Sequence, residues 1–123
     1  ISTSFVREGW PGMYALPELD FTQTHIYNPG DMARAVAERT RMRWQADGKP
    51  HVIGEFGTEY RGAVETRVKD PYNVEMPSGV WAGIFSPTPV APLTWWWDDI
   101  VDLDDSFGEF RGAAAFCLTM RGP

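Results

Sequence analysis

A carboxylate stands in the middle of a short apolar run. His51-Val52-Ile53-Gly54-Glu55-Phe56 has the length and apolar density of a strand buried on both faces, where an unpaired charge is costly and rare. The run follows a segment of helical period. From Asp31 to Asp47, Ala33, Val36, Ala37, Thr40 and Trp44 recur on one stripe, Arg34, Glu38, Arg41 and Gln45 fall elsewhere, and Gly48 with Pro50 supplies the stop. Ahead of that helix, Asp20 to Tyr27 is rich in β-branched and aromatic residues and ends at the turn signal Asn28-Pro29-Gly30. Strand, helix and buried strand make a βαβ unit, so the expected sheet is parallel.

The same reading extends to both ends. Ile1 to Phe5 is expected to be the remnant of an earlier strand. Gly57 to Glu75 holds Gly62, Asp70-Pro71 and Asn73 without sustained period and is expected to be a long, function-bearing loop. Ser78 is placed to cap a short helix through Phe85, with Val80, Trp81 and Ile84 on one side, before Pro87, Pro89 and Pro92 prevent continuation. Leu93-Thr94-Trp95-Trp96-Trp97 reads as a further strand closed by Asp98-Asp99. Ser106 and Glu109 have capping-box spacing ahead of a stripe of Phe110, Ala113, Ala114, Cys117 and Leu118, which predicts a last amphipathic helix.

Composition narrows the class. At 123 residues, 43% hydrophobic and 23% charged, residues 1–123 read as one globular α/β domain. Seventeen Asp plus Glu against 11 Lys plus Arg give a formal net charge of -6, which repels phosphate backbones and argues against nucleic acid as a partner. No apolar run approaches the roughly 20 residues that span a bilayer, so no membrane partner is expected. The single Cys117 excludes an internal disulfide and is expected to be a buried free thiol. The chain does not begin with Met, and its first residues are expected to lie inside a longer protein.

Alternation on a strand puts residues two apart on one face, so His25 and Tyr27 are expected to point the same way, as are Ile53 and Glu55, and Trp95 and Trp97. All three pairs fall at C-terminal strand ends, where parallel α/β folds build their sites. A carboxylate, an imidazole, a phenol and indoles meeting there suit a sugar: carboxylates serve as acid, base or nucleophile, and aromatic faces stack on the apolar faces of pyranose rings. Each residue also has a plainer role. His25 and Tyr27 taken singly fit structural or core positions, Trp96 by alternation packs inward, and Glu59 reads as a solvated or rim residue that could touch substrate. The acidic positions Asp98, Asp99, Asp102, Asp104 and Asp105 match no calcium loop and read as a solvated run. His25 and His51 are too isolated for a metal site, and no cofactor is implied.

The segments Thr22-Gln23-Thr24-His25-Ile26-Tyr27, Gly48-Lys49-Pro50 leading to Gly54-Glu55-Phe56-Gly57, and Val80-Trp81-Ala82-Gly83-Ile84-Phe85-Ser86 leading to Trp95-Trp96-Trp97-Asp98 resemble the last three βα units of cellulase-like, clan A glycoside hydrolases. The resemblance covers nearly the whole chain. It implies the C-terminal part, about strands 5 or 6 to 8, of a (β/α)8 TIM barrel, with parallel strands and outer helices. It also implies Glu55 as the nucleophile of a retaining O-glycosyl hydrolase, His25 and Tyr27 as the residues that line and orient it, and a tryptophan of the last strand, Trp95 or Trp97, as the floor of a sugar subsite. The clan's acid/base glutamate follows an asparagine, and neither Asn28 nor Asn73 is followed by Glu, so that residue is expected in the missing N-terminal half. An extracellular location is a further implication of the family. Where this chain has Met76-Pro77 and Ser86-Pro87-Thr88-Pro89 it departs from the family, on the substrate side.

Two functions follow as expectations. One is a glycoside hydrolase fragment acting on a β-linked oligo- or polysaccharide of glucan or mannan type and inactive alone. The other is a non-catalytic carbohydrate-binding or scaffold α/β domain, with Trp95 and Trp97 as a stacking platform.

Overall fold

A computed structural model describes residues 1–5, 10 and 12–120. Its sheet has three parallel strands in chain order: β1 at Ser4–Phe5, β2 at Thr22–Tyr27 and β3 at His51–Gly57. Helix α1, Met32–Asp47, crosses between β2 and β3, and α2 (Ala63–Lys69), α3 (Glu75–Ile84) and α4 (Phe107–Thr119) follow. The fold class is α/β. The βαβ unit stands where the sequence placed it.

Local chemistry sets the ends of α1. The Asp31 carboxylate accepts from the Arg34 N–H at 2.9 Å, and Gly48 closes the helix in the left-handed region at φ 60°. The buried stripe, however, is Met32, Val36 and Thr40, whereas Trp44 is half exposed and Ala37 is exposed. The helix is therefore rotated from the expected stripe by half a residue's turn, about 50°. Its inner face meets Ile26, Ile53 and Phe56 from the sheet and Met76 and Val80 from α3, with Val101 and Ala113 completing the core. Each of these large side chains contributes about 1.5–3 kcal/mol by leaving water. Gly79 is required there, because a Cβ at that position would lie 2.6 Å from the Phe56 ring.

Four expectations about the elements are corrected. Gly57–Glu75 contains α2, seven residues long and too short to show a period. It is favoured by Glu65 in the first turn and Arg67 and Lys69 in the last, which complement the helix dipole. Helix α3 starts at Glu75, before Ser78: the Asp70 carboxylate accepts from the Val74 and Glu75 N–H groups at 2.9 and 2.8 Å, and Pro77 is tolerated because the first turn needs no N–H from it. Ser78 instead donates back to the Val74 carbonyl. At α4 the capping box does not form, since Ser106 has a near-helical backbone (φ -80°, ψ 12°) that does not aim its hydroxyl at the first turn. Cys117 is exposed, against the expectation of a buried thiol.

The last expected strand is cut short. Leu93, Thr94 and Trp95 run parallel to β3 through Leu93 N–H to Ile53 O, Phe56 N–H to Leu93 O and Trp95 N–H to Phe56 O, but the chain turns into a π-helical turn at Trp97–Asp102. Strand alternation ends there. Trp97 consequently shares no strand face with Trp95.

Candidate active site

The two faces of the sheet diverge at Gly54. Up to that point β2 and β3 pair Thr22 with His51, Gln23 with Val52 and Thr24 with Ile53. An irregularity then skips a residue of β3, so that His25 pairs with Glu55, Ile26 with Phe56 and Tyr27 with Gly57. The bulge reverses the alternation of β3. Ile53 stays in the core with Phe56, three residues on, while Glu55 joins His25 and Tyr27 on the opposite face. The expectation that Ile53 and Glu55 share a face is therefore wrong, and the bulge is its physical cause. A Cβ at Gly54 would fall 2.4 Å from the amide nitrogen of Gln23, whose flexible side chain lies across the position.

On that face Tyr27 donates its hydroxyl hydrogen to Glu55 Oε2 at 2.7 Å. His25 Nδ1 stands 3.1 Å from the same oxygen without a hydrogen bond between them. Burial, followed by the hydrogen bond to Glu55 and the nearby negative charge, raises the Tyr27 phenol above its ordinary range. Tyr27 is thus held as a neutral donor. Glu55 keeps 27% of its side chain exposed to solvent, whereas His25 is buried.

The core side of the same strands carries a second polar cluster. His51 is fully buried with its two ring nitrogens 2.7 and 2.9 Å from the hydroxyls of Thr22 and Thr24. Burial, with the charges of Arg43 and Arg39, pushes its pKa down to about 4. A neutral imidazole between two hydroxyls ties β2 to β3 without a buried charge.

Glu59 is not a solvated rim residue. Its side chain is 1% exposed, and its oxygens accept from the N–H groups of Tyr60 and Arg61, the Arg61 guanidinium at 2.8 Å and Lys69 Nζ at 2.7 Å. Hydrogen bonds from Arg61 and then Lys69 hold its carboxyl well below the usual carboxylate range. Its carbonyl accepts from Trp96 Nε1 at 2.7 Å and from the Thr66 hydroxyl, and Lys69 also reaches Asn28 Oδ1. One buried carboxylate therefore clasps the loop after β3 to α2 and, through Lys69, to the loop after β2. Its carbonyl fastens the tryptophan segment. The sequence carried no signal for this: the partners of Glu59 on α2 and in the tryptophan segment are not set by any local period.

Of the remaining residues singled out by sequence, Trp96 turns inward as alternation implied, Trp95 is exposed beside it with ring centroids 6.2 Å apart, and Trp97 is 64% exposed at the start of the π-helical turn. The acidic run is exposed and is fastened by Arg67, which donates to Asp104 Oδ1 at 3.0 Å. Among the described residues no group of three or more His, Cys, Asp and Glu could hold a metal ion, and no helix is long and apolar enough to cross a membrane.

Sequence missed Tyr60. It follows the clasp, stands edge-on to Tyr27 with centroids 6.1 Å apart, and forms part of the wall of a cleft of about 870 Å³ together with His25, Tyr27 and the α1 residues Ala35, Arg39 and Met42. Compared with family models, with curated proteins and with solved structures, the chain matches none.

Proposed function

We propose that this chain is the nucleophile-bearing, C-terminal part of a retaining β-glycoside hydrolase, with Glu55 as the nucleophile. The supporting observation is the convergence of the Tyr27 hydroxyl and the His25 ring on a single oxygen of a partly exposed carboxylate at the C-terminal end of a parallel strand. One oxygen of Glu55 is fixed by a neutral donor, and the carboxylate is presented to an anomeric carbon. In the proposed reaction Glu55 attacks that carbon, the bond to the glycosidic oxygen breaks, and an acid supplied from outside this chain protonates the leaving oxygen. Water then cleaves the glycosyl ester and restores the carboxylate with net retention.

The rest of the proposed enzyme rests on the resemblance of the sequence segments to clan A glycoside hydrolases. The three parallel strands and the Leu93–Trp95 segment are the last units of a (β/α)8 barrel, Trp95 supplies aromatic surface near the site, and the substrate is a β-linked glucan or mannan. His25 and Tyr27 act as positioning residues. No cofactor enters the mechanism. The test is turnover of β-linked substrates by the complete enzyme and by its Glu55→Gln variant. Near-complete loss of turnover with unchanged folding supports the proposal, whereas sugar binding without Glu55-dependent turnover supports a binding domain instead.

A further inference from the structure

Tyr60 lies next to the proposed nucleophile's orienting residue yet has no place in the mechanism above. Its side chain is 60% exposed, although an aromatic ring ordinarily gains by burial. The exposure is not the result of a loose backbone. The Tyr60 N–H is bound by Glu59 Oε1 at 2.8 Å, and Glu59 is itself anchored by Arg61 and Lys69. The ring makes a T-shaped contact with Tyr27, at 6.1 Å between centroids and 73° between planes. The ring is therefore held out of the core in the wall of the cleft by the backbone fixed on the buried Glu59 carboxylate on one side and an aromatic contact on the other. Rigid, exposed aromatic surface beside a cleft is what binds the apolar face of a pyranose at low entropic cost.

We infer that Tyr60 is a further ligand-contacting residue, a stacking platform for a hexopyranose unit of a β-linked oligosaccharide, one step away from Glu55 across Tyr27. This rests on the glycosidase proposal for the class of ligand and adds to it a contact on the loop after β3. The phenol hydroxyl is not required for stacking; the ring is. Glu59 acts through the backbone of Tyr60 as a positioning residue and touches no sugar.

The experiment titrates the chain, wild type and variants, with β-1,4-linked gluco- and mannohexaose, following the aromatic resonances of the tyrosines and the heat of binding. The wild-type chain is expected to bind one of the two, with shifts at Tyr60. Tyr60→Phe should stay within about twofold of wild type and Tyr60→Ala should bind roughly tenfold more weakly. The thermal midpoint of Tyr60→Ala should match wild type within a few degrees, since the ring is mostly exposed. Equal affinity of Tyr60→Ala and wild type overturns the inference and leaves the nucleophile untouched. Absence of binding to both hexaoses by the wild-type chain also overturns it, because the platform lies wholly within these residues, and the role of Glu55 is then decided separately by turnover of the complete enzyme.

Discussion

Tyr27 on β2 and Glu55 on β3 are joined by a 2.7 Å hydrogen bond between side chains 28 residues apart. The bond exists because β3 skips a residue at Gly54, which brings Glu55 into register with His25 and onto the face that Tyr27 occupies. Without the bulge Glu55 would project toward the core, where its charge would have no partner.

Removing that donor should impair the proposed chemistry more than the fold. A hydrogen bond to a charged group is worth about 1.5–3 kcal/mol, so Tyr27→Phe in the complete enzyme is expected to lower kcat by roughly ten- to a hundredfold, with KM changed much less. The same variant has a spectroscopic signature in the isolated chain. With the Tyr27 phenol raised above the ordinary range, its ionisation should not contribute to the absorbance step near pH 10, and Tyr27→Phe should leave the size of that step unchanged. Stability stored in the protonated phenol is full below about pH 10 and is lost as pH rises above it.

His51 gives an acid-side prediction. Its folded pKa of about 4 lies below the ordinary imidazole value of 6.5, so the neutral ring favours the folded state. The unfolded chain takes up a proton first as pH falls. The stability that His51 contributes is present above about pH 6.5 and is lost between there and about pH 4, amounting to on the order of 3 kcal/mol. Urea unfolding across that window should show this slope in the wild-type chain and a shallower one in His51→Gln.

Much of this arrangement could be read from sequence, and the remainder was hidden for identifiable reasons. Strong local signals marked β2, α1 and β3: Asn28-Pro29-Gly30 and Gly48 act on the residues beside them. The grouping of His25, Tyr27 and Glu55 was also legible, because all three sit at strand ends that a βαβ unit brings together. The faces of Ile53 and Trp97 were not, since a bulge and a π-helical turn interrupt the alternation on which they were placed. Helix α2 fell below the length at which a period can be seen. The burial of Glu59 depends on Lys69, Arg61 and Trp96, whose meeting is decided by tertiary packing and has no local pattern.

The Glu59 clasp should govern the order of the loop that follows the proposed nucleophile. Its carboxyl is held below the usual range, so its contribution to stability is present above about pH 4.5 and is lost only as pH falls well below that value. Glu59→Gln removes the charge that Lys69 and Arg61 share. Hydrogen exchange at the Tyr60 and Arg61 amides is expected to speed up about tenfold in the variant, while amides of β2 and β3 keep their wild-type protection. Unchanged exchange at Tyr60 would mean that the loop is held by other contacts.

The central claim is that the carboxylate of Glu55 forms the covalent bond to the sugar. The direct measurement is to incubate the complete enzyme with a 2-deoxy-2-fluoro-β-glycoside bearing a good leaving group, digest it, and locate the added glycosyl mass by peptide sequencing. The fluorine slows hydrolysis of the glycosyl ester more than its formation, so the intermediate accumulates. The expected result is a single label on Glu55, absent from Glu55→Gln and discharged when an acceptor sugar is added; a label on any other residue, or catalytic turnover that survives Glu55→Gln, would contradict it.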